Sequence, residues 1–238
     1  MHRSRMRWAG GALALAAAGA LALGSAVAGA QRDDARRGTD PLSADEIRAA
    51  TDEARPAAAE SSEVEALGAN GLPERLVLLV ERHQEDKGDA TSDLRRADVY
   101  EYSYVDDTLT VSVVDLADGS VATTDTSQGT QLPLVPVEVD RARELLFADE
   151  AFLEALASEY SAATGRTLGD PSRDLDIQPI VFRADAIPTM AQGPARECGV
   201  ARCAQFLIQS TDHFLIDLFP LVNLSDGALI SADGTSGG

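Results

Sequence analysis

Val114-Asp115-Leu116-Ala117-Asp118-Gly119-Ser120-Val121 reads as the end of one strand, an Asp-Gly turn and the start of another. The pattern returns without a gap 108 residues later (222 − 114) as Val222-Asn223-Leu224-Ser225-Asp226-Gly227-Ala228-Leu229. Four of the eight positions are identical, and the rest include an Asp/Asn and a Val/Leu exchange. An Asp-Gly turn is common between strands and recurs by chance, so the weight falls on what precedes each copy.

Upstream of the first copy, Ser43 caps a helix whose Glu46 completes a capping box and which stops before Pro56. The continuous apolar run Leu76–Val80 then predicts a buried strand. Tyr100, Tyr102 and Tyr104 alternate with smaller or charged residues in the next strand, which places the three rings on one face. Leu109–Val114 and Val121–Thr123 complete an antiparallel meander. Upstream of the second copy, Val139, Ala142, Leu145 and Leu146 stand at helical spacing, and Phe152, Leu153, Leu156 and Tyr160 carry a second amphipathic helix to Gly165. Strands are predicted at Ile180–Phe182, Ala204–Ile208 and Phe214–Phe219. Helices come first and strands after in both halves. The expected fold is therefore α+β, two tandem repeats of a helix or helix pair followed by a roughly four-stranded antiparallel meander, each burying one sheet face under its helical layer.

The ends read differently. Residues 1–30 carry Arg3, Arg5 and Arg7, then an uncharged Ala/Leu/Gly run, then Ala28-Gly29-Ala30, which is the make-up of a secretory signal peptide cleaved after Ala28 or Ala30. A retained anchor is the rival reading, weakened by the Ala and Gly content of the run. The expected organisation is a signal peptide over 1–30, a flexible leader over 31–40, α+β domains over 41–133 and 134–231, and a disordered tail over 232–238. The protein is expected to be secreted and extracellular.

The formal charge is −19, and removal of the three signal-segment arginines leaves 17 − 39 = −22. Such a surface repels nucleic acid and anionic lipid, so neither nucleic acid nor, beyond export, a membrane is an expected partner. Cys198 and Cys203, five residues apart, read as one local disulfide in an oxidising compartment. No further Cys or His stands near enough to build a zinc site with them.

Chemistry is sparse. Outside the signal segment there are two histidines, His83 and His213, at positions that do not correspond in the two halves, and they read as exposed residues rather than metal ligands. Asp174 and Asp176 lack the spaced acids and central Gly of a calcium loop and read as ordinary loop acids. Gly234-Thr235-Ser236-Gly237-Gly238 spells a nucleophile-elbow pattern but lies in the predicted tail, away from any strand–turn–helix context. No metal site, cofactor or catalytic residue is expected. Tyr100, Tyr102 and Tyr104 have two readings: a flat aromatic surface for a cationic or carbohydrate ligand, or packing beneath the helix that begins at Ser43.

The chain resembles the paired N-terminal accessory (N2/N3-like) domains that precede the catalytic domain of copper-containing amine oxidases. The likeness rests on Pro41-Leu42-Ser43-Ala44-Asp45-Glu46-Ile47, on Arg95-Arg96-Ala97-Asp98-Val99, on Val114–Gly119 and on Ala148-Asp149-Glu150-Ala151-Phe152-Leu153-Glu154-Ala155-Leu156. It is closest over residues 41–165. In that family a tyrosine after Asn becomes the quinone cofactor and a His-x-His pair binds copper; this sequence has neither Asn-Tyr nor His-x-His. The resemblance implies accessory domains without the oxidase chemistry, acting as a protein-interaction or structural module, with another extracellular protein or a second copy as partner. The alternative is a binding module for a metal ion or a cationic small ligand such as an amine or polyamine. Secreted helix-plus-meander domains of other kinds, such as protease-inhibitory propeptides, share the Asp-Gly hairpin and the same element order.

Overall fold

A computed structural model describes residues 40–55, 67–84, 94–188, 191–212 and 216–230, and among these the chain builds two four-stranded antiparallel sheets and three α-helices of 11, 12 and 15 residues. The predicted signal peptide, the leader up to residue 39 and the predicted tail lie outside the described residues. Among the described residues no helix is long and apolar enough to cross a membrane.

Helix α1 (Ala44–Ala54) starts where Ser43 and Glu46 form their capping box, and Arg55 beyond it is already extended. The strands β1 (Arg75–Arg82), β2 (Arg96–Ser103), β3 (Thr108–Asp115) and β4 (Ser120–Gln128) follow as a meander in sequential order, all neighbours antiparallel. Helices α2 (Pro136–Phe147) and α3 (Glu150–Thr164) come next, α3 capped by Asp149 and ended by Gly165 in the left-handed region. A single turn, α4 (Pro171–Asp174), leads into the second meander of β5 (Leu175–Phe182), β6 (Cys203–Ser210), β7 (Leu221–Asn223) and β8 (Ala228–Ile230). The α+β class and the two antiparallel sheets are those read from the sequence.

Three apolar clusters divide the interior. Sheet 1 uses one face for α1, where Ala50 meets Ala97, Val99 and Val114, with Ala54, Val77 and Val80 packed against them. Its other face gives Leu78, Tyr102 and Leu109 to a central core shared with Ala142 and Leu146 of α2, Phe152 and Leu156 of α3, and Phe206, Ile208 and Val222 of sheet 2. The far face of sheet 2 packs Phe182, Cys203, Leu221 and Ile230 against Ala195, Cys198 and Ala201 of the disulfide loop.

Several strands differ from the sequence reading for identifiable reasons. Leu76–Val80 is not a fully buried strand: β1 is the edge of sheet 1, and Leu79 is 40% exposed beside a bulge at Leu78. β4 runs on to Gln128 through Thr and Ser residues that face solvent and so carry no hydrophobic period. β5 begins at Leu175, so Asp176 is a strand residue rather than a loop acid; Pro179 is tolerated because β5 is an edge. The strand expected at Phe214–Phe219 is absent over its described part, residues 216–219. Ile216 N bonds to Ile208 O (3.0 Å) and Phe206 N to Pro220 O (3.1 Å), so four residues are laid against two of β6 and the excess loops out. Regular pairing resumes only after Pro220, at Leu221.

The two Asp-Gly turns hold equivalent places. Val114 pairs with Val121 and Val222 with Leu229; Asp115 pairs with Ser120 and Asn223 with Ala228. The side-chain oxygens of Asp115 and Asn223 each accept a bond from the backbone N–H two residues on (both 2.9 Å), and Gly119 and Gly227 adopt φ of 67° and 68°. Their surroundings differ. A Cβ on Gly227 would stand 2.8 Å from the Cα of Asn70, whereas one on Gly119 would meet nothing nearer than the Glu53 carboxylate at 3.8 Å. Gly119→Ala is therefore expected to cost only the left-handed strain of roughly 1 kcal/mol, and Gly227→Ala about 1–3 kcal/mol more because backbone must move. Urea unfolding of the two variants checks this; equal losses would refute it.

The first turn of α1 is held to the sheet by Arg95. Its Nε and Nη2 donate to the two oxygens of Glu46 (2.8 and 3.0 Å), its Nη2 also to Pro41 O (2.8 Å), and its Nη1 to Asp40 O. The Arg95 bond, opposed by burial and aided by the bonds from Ser43, lowers the Glu46 carboxyl from 4.5 to about 2. A carboxyl depressed in the folded state adds stability above its unfolded value and loses it as the pH falls through the folded one. α1 should hence loosen between pH 4.5 and about 2, with Glu46→Gln removing that part of the acid sensitivity in a pH series of amide exchange over residues 44–54.

Candidate functional site

Among the described residues, buried charged and hydroxyl side chains gather around Arg202, the residue before β6. Arg202 and Glu138 are both fully buried. Glu138 is the third residue of α2 and accepts the backbone N–H of Val135 (2.9 Å), which completes the helix start that Pro136 begins. Arg202 reaches it with a two-pronged contact, Nε to Oε1 and Nη2 to Oε2 (2.8 Å), the geometry that suits a guanidinium to a carboxylate. Its remaining donors go to Leu132 O (2.9 Å), Gln131 Oε1 (3.0 Å) and Pro133 O (3.0 Å).

Sheet 1 closes over this pair. The Tyr104 hydroxyl donates to Glu138 Oε1 (2.6 Å), and the Tyr102 ring lies 5.4 Å from the guanidinium carbon of Arg202 and edge-on to Tyr104, centroids 5.1 Å apart. The Tyr102 hydroxyl lies within hydrogen-bonding distance of Asp107 (3.0 Å) and of Val200 O (3.1 Å). Asp107 also accepts from the Ser225 hydroxyl, and among the described residues it is the one non-glycine with positive φ (53°). Asp is one of the few side chains that tolerate that conformation.

Burial sets the proton affinities. It opposes the charge of Arg202, but the hydrogen bond and charge of Glu138 outweigh it and raise the guanidinium pKa. Burial first, then the neighbouring Glu138 and Asp107 charges, raise Tyr104 and Tyr102 far above the ordinary phenol. Tyr100, at the sheet margin and bonded to Glu81 (2.9 Å), is pushed up to about 12, again chiefly by burial. All three hydroxyls stay protonated at neutral pH. The arrangement holds charges against one another at short range.

Of the residues singled out in the sequence, Tyr100 and Tyr102 share the central-core face of β2, and Tyr104 follows in the turn after it. That face is turned away from α1, whose small side chains meet Ala97 and Val99 on the opposite side. Cys198 and Cys203 form the disulfide, both buried. Their loop presents Gly199 O and Val200 O to Gln131 (3.1 and 3.2 Å) and so brings the bridge beside the Arg202 cluster. His83 pairs with Asp98 (2.6 Å), which alternation along β2 places on the same face as Tyr100 and Tyr102, and His213 lies outside the described residues. Asp174 accepts from Gly169 N (2.9 Å) and Asp176 from Gln178 (3.0 Å), separate local bonds. Among the described residues no three His, Cys, Asp or Glu side chains are grouped to hold a metal ion.

Sequence reading missed Arg202, Glu138, Asp107 and Ser225. A signal existed. Arg202 repeats the contacts of Arg95 atom for atom: Nε and Nη2 to the third-position Glu of a helix, Nη2 also to a proline carbonyl five residues before that Glu, and Nη1 to the carbonyl before the proline. Both helices are preceded by Pro-Leu at that spacing, Pro41-Leu42 before Glu46 and Pro133-Leu134 before Glu138. Each arginine also receives the turn leucine on its carbonyl, Leu116 N to Arg95 O (2.9 Å) and Leu224 N to Arg202 O (2.8 Å).

No family model and no curated protein sequence matches the chain. In structure it is similar to a copper-containing benzylamine oxidase from Hansenula polymorpha, with a TM-score of 0.50 and 12% identity. The match covers 82% of this chain and 30% of that one, so the chain spans less than a third of the enzyme's length. At this identity the likeness is one of fold alone.

The two arginines differ in burial, which separates their energetics. Arg202→Met or Glu138→Leu alone leaves an unpaired buried charge and is expected to cost about 3–5 kcal/mol, with the double variant recovering most of it. Arg95→Met, at a partly exposed pair, should cost only about 1 kcal/mol. Chemical denaturation of the four variants measures both; an Arg95 loss as large as the Arg202 loss would contradict the account.

Proposed function

We propose that this is a secreted, non-catalytic protein built from two duplicated accessory-type domains like those of copper amine oxidases, serving as a protein-interaction or structural module. The observation that carries the reading is the twofold recurrence of one arginine–glutamate latch, with its proline, leucine and Asp-Gly turn, inside a fold similar to part of an amine oxidase. A duplicated unit explains why the same atoms meet at Arg95 and at Arg202, which independent folding would not. The sequence lacks the Asn-Tyr and His-x-His elements on which amine oxidation depends in that family. The strongest cluster of charges is consumed in fastening helices to sheets, which favours a scaffold over a reaction site. The disulfide and the signal-like residues 1–30 favour an extracellular setting.

In such a module the work is done at surfaces, by another extracellular protein or a second copy. Binding of a metal ion or a cationic small ligand is less well supported, since Tyr102 and Tyr104 have their rings and hydroxyls engaged inside the protein. Pull-down with the signal-less protein from culture supernatant of its own source is the direct test. A specific partner retained at moderate salt is the expected result; recovery of nothing at any salt concentration would remove the reading.

A further inference from the structure

Each sheet edge is an invitation to pair with another chain unless something blunts it. β1 carries Arg75, Glu81 and Arg82 and a bulge at Leu78. β5 contains Pro179, and Arg143 donates to its Ile177 carbonyl (3.0 Å). β8 has three residues among those described. β4 has none of these protections over most of its length: nine residues, Ser-Val-Ala-Thr-Thr-Asp-Thr-Ser-Gln, without Pro, Lys or Arg. Past one irregularity near Ala122 it runs in unbroken register from Thr123 to Gln128 against Val113 to Thr108. Every position but Ser127 is exposed, and among the described residues β3 is its only partner strand in the sheet.

Charge indicates what fits there. Asp118 stands in the turn before β4, Asp125 in its middle, and Asp106 beside its far end, where Gln128 bonds to the Asp106 carbonyl (3.1 Å); all three acids are exposed. No cation belongs to the strand. A second copy would bring an equally acidic chain of net charge −19, which opposes self-pairing. Next to β4 the outer face of sheet 1 forms a groove of about 400 Å³ lined by Val121, Thr124, Thr110, Glu101 and Glu53 together with Arg55 and Arg75, the latter paired with Glu101 (2.7 Å), into which alternate side chains of an added strand could reach.

We infer that β4 is a docking edge for an extended, positively charged segment of another protein, which adds a fifth strand to sheet 1. This rests on the interaction-module reading and names the partner chemistry. Main-chain bonds supply the affinity, and Asp118, Asp125 and Asp106 select cationic side chains.

The test uses the full signal-less protein and a labelled, end-blocked peptide of alternating lysine and valine as long as β4, followed by fluorescence anisotropy. Two further peptides of the same charge carry N-methyl groups on alternate backbone nitrogens, one on the odd and one on the even residues. Only alternate N–H groups of a docked strand face the edge it pairs with, so one methylated form should bind like the parent and the other about tenfold or more weakly, with Thr123→Lys/Asp125→Lys causing a similar loss. Amide exchange on β4 should slow in the complex. Equal binding of all three peptides would reduce the effect to bulk charge and overturn the inference, as would no binding. Sedimentation showing a dimer dissolved by Thr123→Lys/Asp125→Lys would replace the foreign strand with a second copy. A partner recovered from supernatant that ignores the double substitution would sink the edge assignment while leaving the interaction-module reading intact.

Discussion

A guanidinium held against the first turn of a helix organises this protein twice. In each half an arginine at the start of the second strand grips the third residue of a helix and the carbonyls just before it, so that helix start, strand start and the Asp-Gly turn converge on one side chain. A helix N-terminus offers unsatisfied N–H groups and favours a carboxylate, and the Glu placed there then requires a cation. Arg supplies it with a planar fork whose spare donors satisfy carbonyls that would otherwise be stranded. Removing the arginine would strand the carboxylate and two carbonyls at once.

The same latch works in two dielectric settings. Around Arg95 it sits at the margin of sheet 1, partly in water, where it fastens α1 and holds Glu46 far down its titration range. Around Arg202 it is covered by Tyr102, Tyr104 and Gln131, and the pair becomes the polar centre of the junction between the sheets. Burial of a charge pair adds little net stability but penalises any arrangement that separates it. The buried copy therefore specifies how sheet 1 sits on the second half, and the disulfide loop, bonded to Gln131 and Tyr102 through its carbonyls, holds the lid in place.

This division of labour frees the periphery. Among the described residues the long bare strand β4 is the least protected sheet edge.

Local signals were legible in the sequence. Ser43 and Glu46 placed the start of α1, Gly165 placed the end of α3, the two Asp-Gly pairs located both hairpins, and the five-residue spacing of Cys198 and Cys203 announced their bridge. Each depends on groups within a few residues of one another, which is why a linear reading finds them. The tertiary structure alone decided the rest. Whether the tyrosine face met α1 or the central core depended on which side Ala50 could approach closely, and the solvent-facing half of β4 had no pattern to betray it. The irregular segment before Pro220 was read as strand because its apolar residues do pack, though without a continuous ladder. Arg202 and Glu138 are 64 residues apart, and in sequence each looks like a surface charge; only the fold removes water from both, and a charge is committed to one partner only where water is gone.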